Sequence, residues 1–374
     1  MSKKSKKNTC LVCGKTSSII SGTLGICPDC IRNRFSDCKS LIKALRENIR
    51  PRFGLPPEPP RSEGGIVCPI CVNECSMAEG ESGFCGVRAN IGGKLVGVSA
   101  GKGKVSFYHD SLPTNCVGDW VCPGGSGCGY PDYSYKKGPE TGYKNLAVFY
   151  HACSMDCLFC QNWHFRELTR GKKHLSAADL AKAVDNRTSC ICYFGGDPTP
   201  QLPHSLRTSR IAREQNKGRI LRICWETNGT MNPLLLDAML KIAFDSGGLI
   251  KFDLKSSSEN MALALTGVSN RRTWENFEEA AKWNRNRPGV PVVIASTLLI
   301  PGYIDPGEIY EIAGRIAKID PDIPYSLLGF YPQFLMDDLP TTSGSHAEKA
   351  YSEAIRAGLN NVRIGNIHLL GDDY

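Results

Sequence analysis

No run of eighteen apolar residues occurs in the 374-residue chain, so no segment reads as a membrane-spanning helix. The start, MSKKSKKNTC, is basic but has no apolar stretch behind it. It does not read as a secretory signal peptide, and a cytoplasmic address is the expectation. Histidines are scarce, seven in all. His151 and His164 flank the most informative stretch and read as satisfied neighbours or surface groups, not metal ligands. The formal charge of +8 is partly carried by one tail, Lys3, Lys4, Lys6 and Lys7, which reads as a solvated basic tail.

Cysteine is what the chain has in excess, eighteen residues of it. A reducing compartment disfavours disulfides, so clustered cysteines there point to metal or redox chemistry. Four clusters stand out. Cys10, Cys13, Cys27 and Cys30 form two C-x2-C pairs thirteen residues apart, the spacing of a tetrahedral zinc knuckle. Cys68, Cys71, Cys75 and Cys85 offer four more thiolates, for structural zinc or for a second iron–sulfur cluster that relays electrons. Cys116, Cys122 and Cys128 form a third group, needing a further ligand from elsewhere or supplying a thiol to the chemistry itself. Cys153, Cys157 and Cys160 form the fourth. Cys190, Cys192 and Cys224 lie in apolar runs and read as small buried hydrophobes.

The chain divides by composition. Residues 1–34 read as the knuckle, and 35–65 as a helix (Lys39 to Asn48) and a Pro-rich linker. Residues 66–143 read as a loop-rich accessory segment held by metal more than by a core. From 144 to 374, apolar runs alternate with amphipathic stretches: 145–150, 190–194, 219–226, 248–254, 291–300, 325–331 and 360–367 read as strands. SAADLAKAV (176–184) opens a helix with an S-x-x-D capping signature. Such alternation means parallel strands with crossover helices, and seven strands suit a partial or full βα barrel. Chemistry in such barrels sits at the C-terminal ends of the strands.

HACSMDCLFCQNW (151–163) follows the first of those strands. A structural zinc site takes four protein ligands, whereas three thiolates suit a 4Fe-4S cluster with one iron left open. C-x3-C-x2-C at this place, with Phe159 before the last cysteine, resembles the radical SAM superfamily. The resemblance implies an α/β fold, a partial (βα)6-type barrel behind N-terminal cysteine-rich segments. It implies a 4Fe-4S cluster on Cys153, Cys157 and Cys160 that binds S-adenosylmethionine (SAM) and cleaves it reductively to a 5′-deoxyadenosyl radical. YFGGDPTPQ (193–201) is similar to the family's Gly-Gly-Glu-Pro, with Asp for Glu, and so Gly195, Gly196 and Asp197 are expected against SAM. ETNG (226–229) places Thr227 and Asn228 near the ribose, and KFDLK (251–255) places Asp253 and Lys255 on one strand face. LALTGVSN, LLIPGYID and AGLNNVRIGNI resemble the pyruvate formate-lyase activating enzyme branch, nearest its uncharacterised relatives in archaea and anaerobes, and add Pro301 as an expected contact. Those relatives often carry Pro-Trp-His after the sixth strand; here the chain reads PYS (324–326), so that histidine's role is not carried over.

The branch implies a protein or peptide substrate, modified by hydrogen abstraction, and a low-potential reductant such as flavodoxin or ferredoxin. Tyr108, Trp120, Tyr130, Tyr133 and Tyr135 read as buried core or, alternatively, as a peptide groove. A radical SAM methyltransferase of a protein residue is the second reading, with cobalamin as a possible cofactor although no classical cobalamin module is visible. A zinc-ribbon nucleic-acid-binding protein is the reading from another class. It explains the basic tail and the knuckle but not the ordered strand-end motifs.

Overall fold

The computed structural model describes residues 7–114, 116–372 and 374. Lys7 is exposed; Lys3, Lys4 and Lys6 lie outside the described residues. The centre is an eight-stranded sheet. Its strands are β1 (Val105–Ser111), β2 (Lys144–Tyr150), β3 (Thr188–Gly195), β4 (Arg222–Thr227), β5 (Ile250–Asp253), β6 (Val293–Leu299), β7 (Tyr325–Gly329) and β8 (Val362–Gly365). β2 to β8 are parallel and lie side by side in chain order, while β1 pairs antiparallel with β2 at the edge. Strands such as β2, β3 and β6 are buried along almost their whole length. That is why they read as continuous apolar runs, as parallel strands covered on both faces do. All seven expected strands are present.

Helices cover the outside: α1 (Phe35–Ile49), then α2 (Leu202–Gln215), α3 (Pro233–Ser246), α4 (Glu259–Thr266), α5 (Arg271–Ala281), α6 (Pro306–Ile319) and α7 (Gly344–Arg356). Asn232, Ser258, Asp305 and Ser343 cap α3, α4, α6 and α7 by accepting a backbone N–H of the first turn. The S-x-x-D signature is a cap as well, with Asp179 N donating to Ser176 Oγ at 3.0 Å. Among the described residues, no helix is long and apolar enough to cross a membrane.

The sheet curves around one segment. Trp120 Nε1 donates to Ser326 Oγ of β7 at 3.2 Å, and Cys116 Sγ lies 3.5 Å from Glu226 Oε1 of β4. A single loop touching both strands needs a sheet bent into a partial barrel. A buried ion pair, Arg222 Nη2 to Glu140 Oε2 at 2.6 Å, fixes that segment beneath β4.

Three parts of the region before the barrel differ from expectation. α1 begins at Phe35, four residues before the expected Lys39, because Cys38 is already fully buried and its turn packs on the core. Residues 60–62 do not hang free but hydrogen-bond along the second cysteine group, with Ser76 N donating to Pro60 O at 2.9 Å. β1 was not legible as a strand: most of its residues are exposed, so no buried face marks it in the sequence.

Candidate active site

β2 ends at Tyr150, and the next ten residues carry the three thiols. The loop is gripped from behind by the end of α4. Asp156 N donates to Thr266 O at 2.8 Å, and Leu158 N to Leu265 O at 3.0 Å. The Asp156 carboxylate, 1% exposed, meets three guanidiniums: Arg46 at 2.9 Å, Arg50 at 3.1 Å and Arg166 at 3.0 Å. Burial favours the protonated acid, but the three cations outweigh it and hold Asp156 below the usual carboxylate range. Three cations against one anion leave a surplus of two positive charges behind the loop, a setting that favours thiolates. None of these four residues was singled out from the sequence. Their partners are up to 110 residues apart in the chain.

In front of the loop lies a cavity of about 300 Å³ at the C-terminal ends of the strands. Cys153, Cys157, Phe159 and Cys160 line it from one side. Burial pushes the Cys157 thiol up to about 12 and Cys153 well above its ordinary value. Metal binding to such thiols must therefore release protons. Opposite stand Gly195 and Gly196. Gly195 has φ +119°, and a Cβ there would lie 2.5 Å from Tyr150 N. A Cβ on Gly196 would lie 2.3 Å from Ala152 O. Both positions exclude any side chain.

Asp197 lines the same cavity but is largely committed to the protein. It accepts from Thr199 N at 2.7 Å, Asn228 N at 2.6 Å and Thr227 Oγ1 at 3.3 Å. Burial nevertheless pushes its carboxyl up to about 6. Asp197 thus braces the ends of β3 and β4 against each other. Asn228 Nδ2 reaches Ser154 Oγ at 2.9 Å and Cys153 Sγ at 3.7 Å, tying that brace to the thiol loop.

The end of β5 carries a ladder of alternating charge. Lys251 Nζ bonds Glu226 at 3.1 Å and Asp253 at 2.7 Å, and Lys255 bonds Asp253 at 3.0 Å. Burial opposes all these charges, yet the two lysines hold Asp253 well below its usual range, and Asp253 with Glu226 holds Lys251 above its own. Asp253 and Lys255 were expected here. Lys251 and Glu226 were missed, although Lys251 and Asp253 sit two apart on one strand face. Two expected contacts fall elsewhere. Thr227 turns its hydroxyl to Asp197 and does not line the cavity. Pro301 sits in the turn after β6, outside the cavity lining, where Gly302 abuts Ile19 of the first cysteine segment.

The residues present fit a 4Fe-4S group with SAM. Among the described residues, only Cys10, Cys13, Cys27 and Cys30 gather their ligand atoms within 4.8 Å of one another. The three active-site thiols are therefore spread too widely for one shared ion. Arg166 lines the cavity beside Cys160, and its Nη1 is buried with no hydrogen-bond partner, a donor awaiting an acceptor.

The other cysteines divide. In the first group the sulfurs of Cys10 and Cys30 are 3.9 Å apart and those of Cys13 and Cys27 3.7 Å. Cys68, Cys71, Cys75 and Cys85 line one small cavity of their own. The third group does not gather. Cys128 Sγ turns to Val121 O at 3.2 Å, while Cys116 Sγ turns to Glu226 Oε1 at 3.5 Å, near the Cys192 thiol. Cys192 and Cys224 are register partners on β3 and β4. They are buried to half-buried, as small hydrophobes would be, but they also face another thiol. His151 bonds Ser106 Oγ at 3.1 Å, and the exposed His164 stacks on Trp163 at 3.9 Å. Of the aromatics, Tyr135 stacks on Tyr143 at 4.6 Å, while Tyr108 and Tyr130 are exposed.

Residues 147–314 match the model of the Radical SAM superfamily. The match makes this stretch a radical SAM domain. Among curated proteins, an uncharacterised protein of Methanocaldococcus jannaschii is 27% identical over 309 residues, covering 81% of each chain. The pyruvate formate-lyase 1-activating enzyme of Escherichia coli is 28% identical over 194 residues, 49% of this chain and 74% of that one. Among solved structures, a radical SAM methyltransferase from Sphaerobacter thermophilus is 16% identical, with a TM-score of 0.44 over 59% of this chain and 66% of that chain.

Proposed function

We propose that the enzyme abstracts hydrogen from a protein or peptide, using a 4Fe-4S cluster held by Cys153, Cys157 and Cys160 together with SAM. The observation that supports it best is the convergence of the three thiols, Gly195-Gly196-Asp197, Asn228 and the Lys251–Asp253–Lys255 ladder on one cavity. The cluster and SAM would supply, on one-electron reduction, the 5′-deoxyadenosyl radical.

The chain's own residues do the rest. The Asp156 knot offsets thiolate charge and fixes the loop. Gly195 and Gly196 let backbone approach the methionyl end of SAM. Asp253 and Lys255 present an anion and a cation to its ammonium and carboxylate groups. Phe159, Leu298 and Leu328 line the cavity with apolar surface that limits water around a radical. Asp197 holds the strand ends in place.

A macromolecular substrate is favoured by the Escherichia coli relative, whose name makes another enzyme its target. The first four-cysteine group would hold zinc. Eighteen unpaired cysteines favour a reducing, cytoplasmic setting.

The test is an anaerobic assay of the iron- and sulfide-reconstituted protein, reduced and given SAM. 5′-Deoxyadenosine is the expected product. S-adenosylhomocysteine that rises with added methylcobalamin would replace hydrogen abstraction by methyl transfer. Neither product from a cluster-loaded protein would overturn the reading.

A further inference from the structure

The chain holds two four-thiol groups, and they differ in size. A single tetrahedral zinc with Zn–S near 2.3 Å sets its sulfurs about 3.8 Å apart. The first group has that spacing, at 3.7 and 3.9 Å. Cys27 N also donates to Cys10 Sγ at 3.3 Å, so backbone already turns toward the thiolate. The second group is wider. Cys68, Cys71, Cys75 and Cys85 surround one cavity, yet no three of them, among the described residues, fall mutually within 4.8 Å. One ion cannot bridge such a set. Four thiolates each on a separate iron stand apart in this way. The remaining wall is mostly apolar, from Ile70, Met77 and Pro200, with buried Arg88 as a cation and Phe84 N donating to Cys75 Sγ at 3.4 Å. Apolar surroundings and N–H donors to sulfur are what tune such a cluster.

Its position matters as much. Asn73, between two of the cysteines and 4% exposed, donates to Ser154 O at 2.7 Å. Ser154 follows Cys153 directly. Val72 N donates to Thr230 O at 2.9 Å, and Thr230 Oγ1 meets Ser154 Oγ at 2.7 Å. On the other side Cys85 packs against Val87, Val98 and Ala152, the residue before Cys153. Both flanks of the second group therefore touch the residues on either side of the first active-site thiol. The first group makes no such contact; it packs on the turn at Tyr303 and on Asp338.

We infer that Cys68, Cys71, Cys75 and Cys85 bind a second 4Fe-4S cluster, not zinc, and that it relays electrons to the site at Cys153, Cys157 and Cys160. A low-potential one-electron donor, a reduced flavin or iron–sulfur protein, gives one electron to the second cluster, taking it from 2+ to 1+. That electron passes to the active-site cluster, which goes from 2+ to 1+ as the second returns to 2+. No bond forms or breaks in the transfer. The relay half of this inference rests on the proposed function; the cluster half does not.

The test begins with the full chain reconstituted anaerobically with iron, sulfide and zinc. Metal and sulfide analysis with Mössbauer spectroscopy should find about eight iron per chain, as two 4Fe-4S clusters, and a single zinc. About four iron with two zinc would overturn the inference without any variant. In the Cys71→Ser/Cys75→Ser variant, iron should fall by half, and the reduced protein should keep only the EPR signal that SAM perturbs. Loss of zinc with unchanged iron would again overturn it. Asn73→Ala, which keeps every ligand, tests the relay: iron should be unchanged, while reduction of the SAM-responsive signal by a flavodoxin-type protein slows about tenfold. An unchanged rate would remove the relay. If the EPR signal of neither cluster responds to SAM, the proposed function fails while the iron count still decides the second cluster.

Discussion

The two four-cysteine groups carry similar letters and differ in what surrounds them. The first closes on itself, with sulfurs 3.7 to 3.9 Å apart, and docks on the far turns of the barrel through Tyr303 and Asp338. The second opens around a cavity and is bonded to the loop that carries Cys153. Spacing along the chain proposes metal for both. Only spacing in space separates one ion from a cluster, and only the neighbours separate a staple from a conductor. The three-thiol loop is a third case, since it lacks a fourth sulfur and has a knot of arginines behind it.

The largest expected effect lies at that third case. Cys157→Ala should drop 5′-deoxyadenosine formation to background while leaving the zinc content and the iron of the second group in place, measured by product mass spectrometry and metal analysis. Full activity in that variant would erase the distinction between the open and closed sets. Next comes the first group. Cys27→Ala should release its metal and unfold residues 8–33 locally, a loss of more than about 3 kcal/mol, seen as lost amide protection in hydrogen exchange. SAM-dependent EPR changes should persist, because no contact joins this group to the active-site thiols. Arg166→Met should cost about 1–3 kcal/mol, since one buried charged hydrogen-bond partner of Asp156 is removed while Arg46 and Arg50 still hold the carboxylate. It should also lower cluster occupancy; an unchanged denaturation midpoint and occupancy would show the knot to be dispensable. The smallest effect is Tyr303→Phe. Its hydroxyl accepts from Ser21 N at 3.0 Å and donates to Ile26 O at 2.9 Å, so thermal unfolding should show a loss of about 1–2 kcal/mol with activity intact.

Most of the barrel was legible because parallel strands buried on both faces announce themselves as apolar runs. β1 was not, since its exposed side chains carry no such run. The thiol loop, Gly195, Gly196, Asp197, Asn228, Asp253 and Lys255 could be named from strand-end motifs, and they meet at one cavity. Asp197 shows the limit of that reading: its neighbours commit its carboxylate to bracing, which no motif states. The Asp156 knot was hidden because Arg46 and Arg50 come from before the barrel, and the pairing appears only once α1 is packed. Cys192 and Cys224 were read as hydrophobes because the thiol they face, Cys116, comes from a loop threaded in from below.

One contact spans nearly the whole chain: Asn8 Nδ2 bonds Asp338 Oδ2 at 2.8 Å, across 330 residues. At roughly 5–20 residues per second of synthesis, about 15 to 65 s separate the emergence of the two ends of that bond. The knuckle is thus made first and seated last. Its four thiols would face solvent alone throughout that interval, and any ion they took up would be selected before the barrel exists to influence the choice.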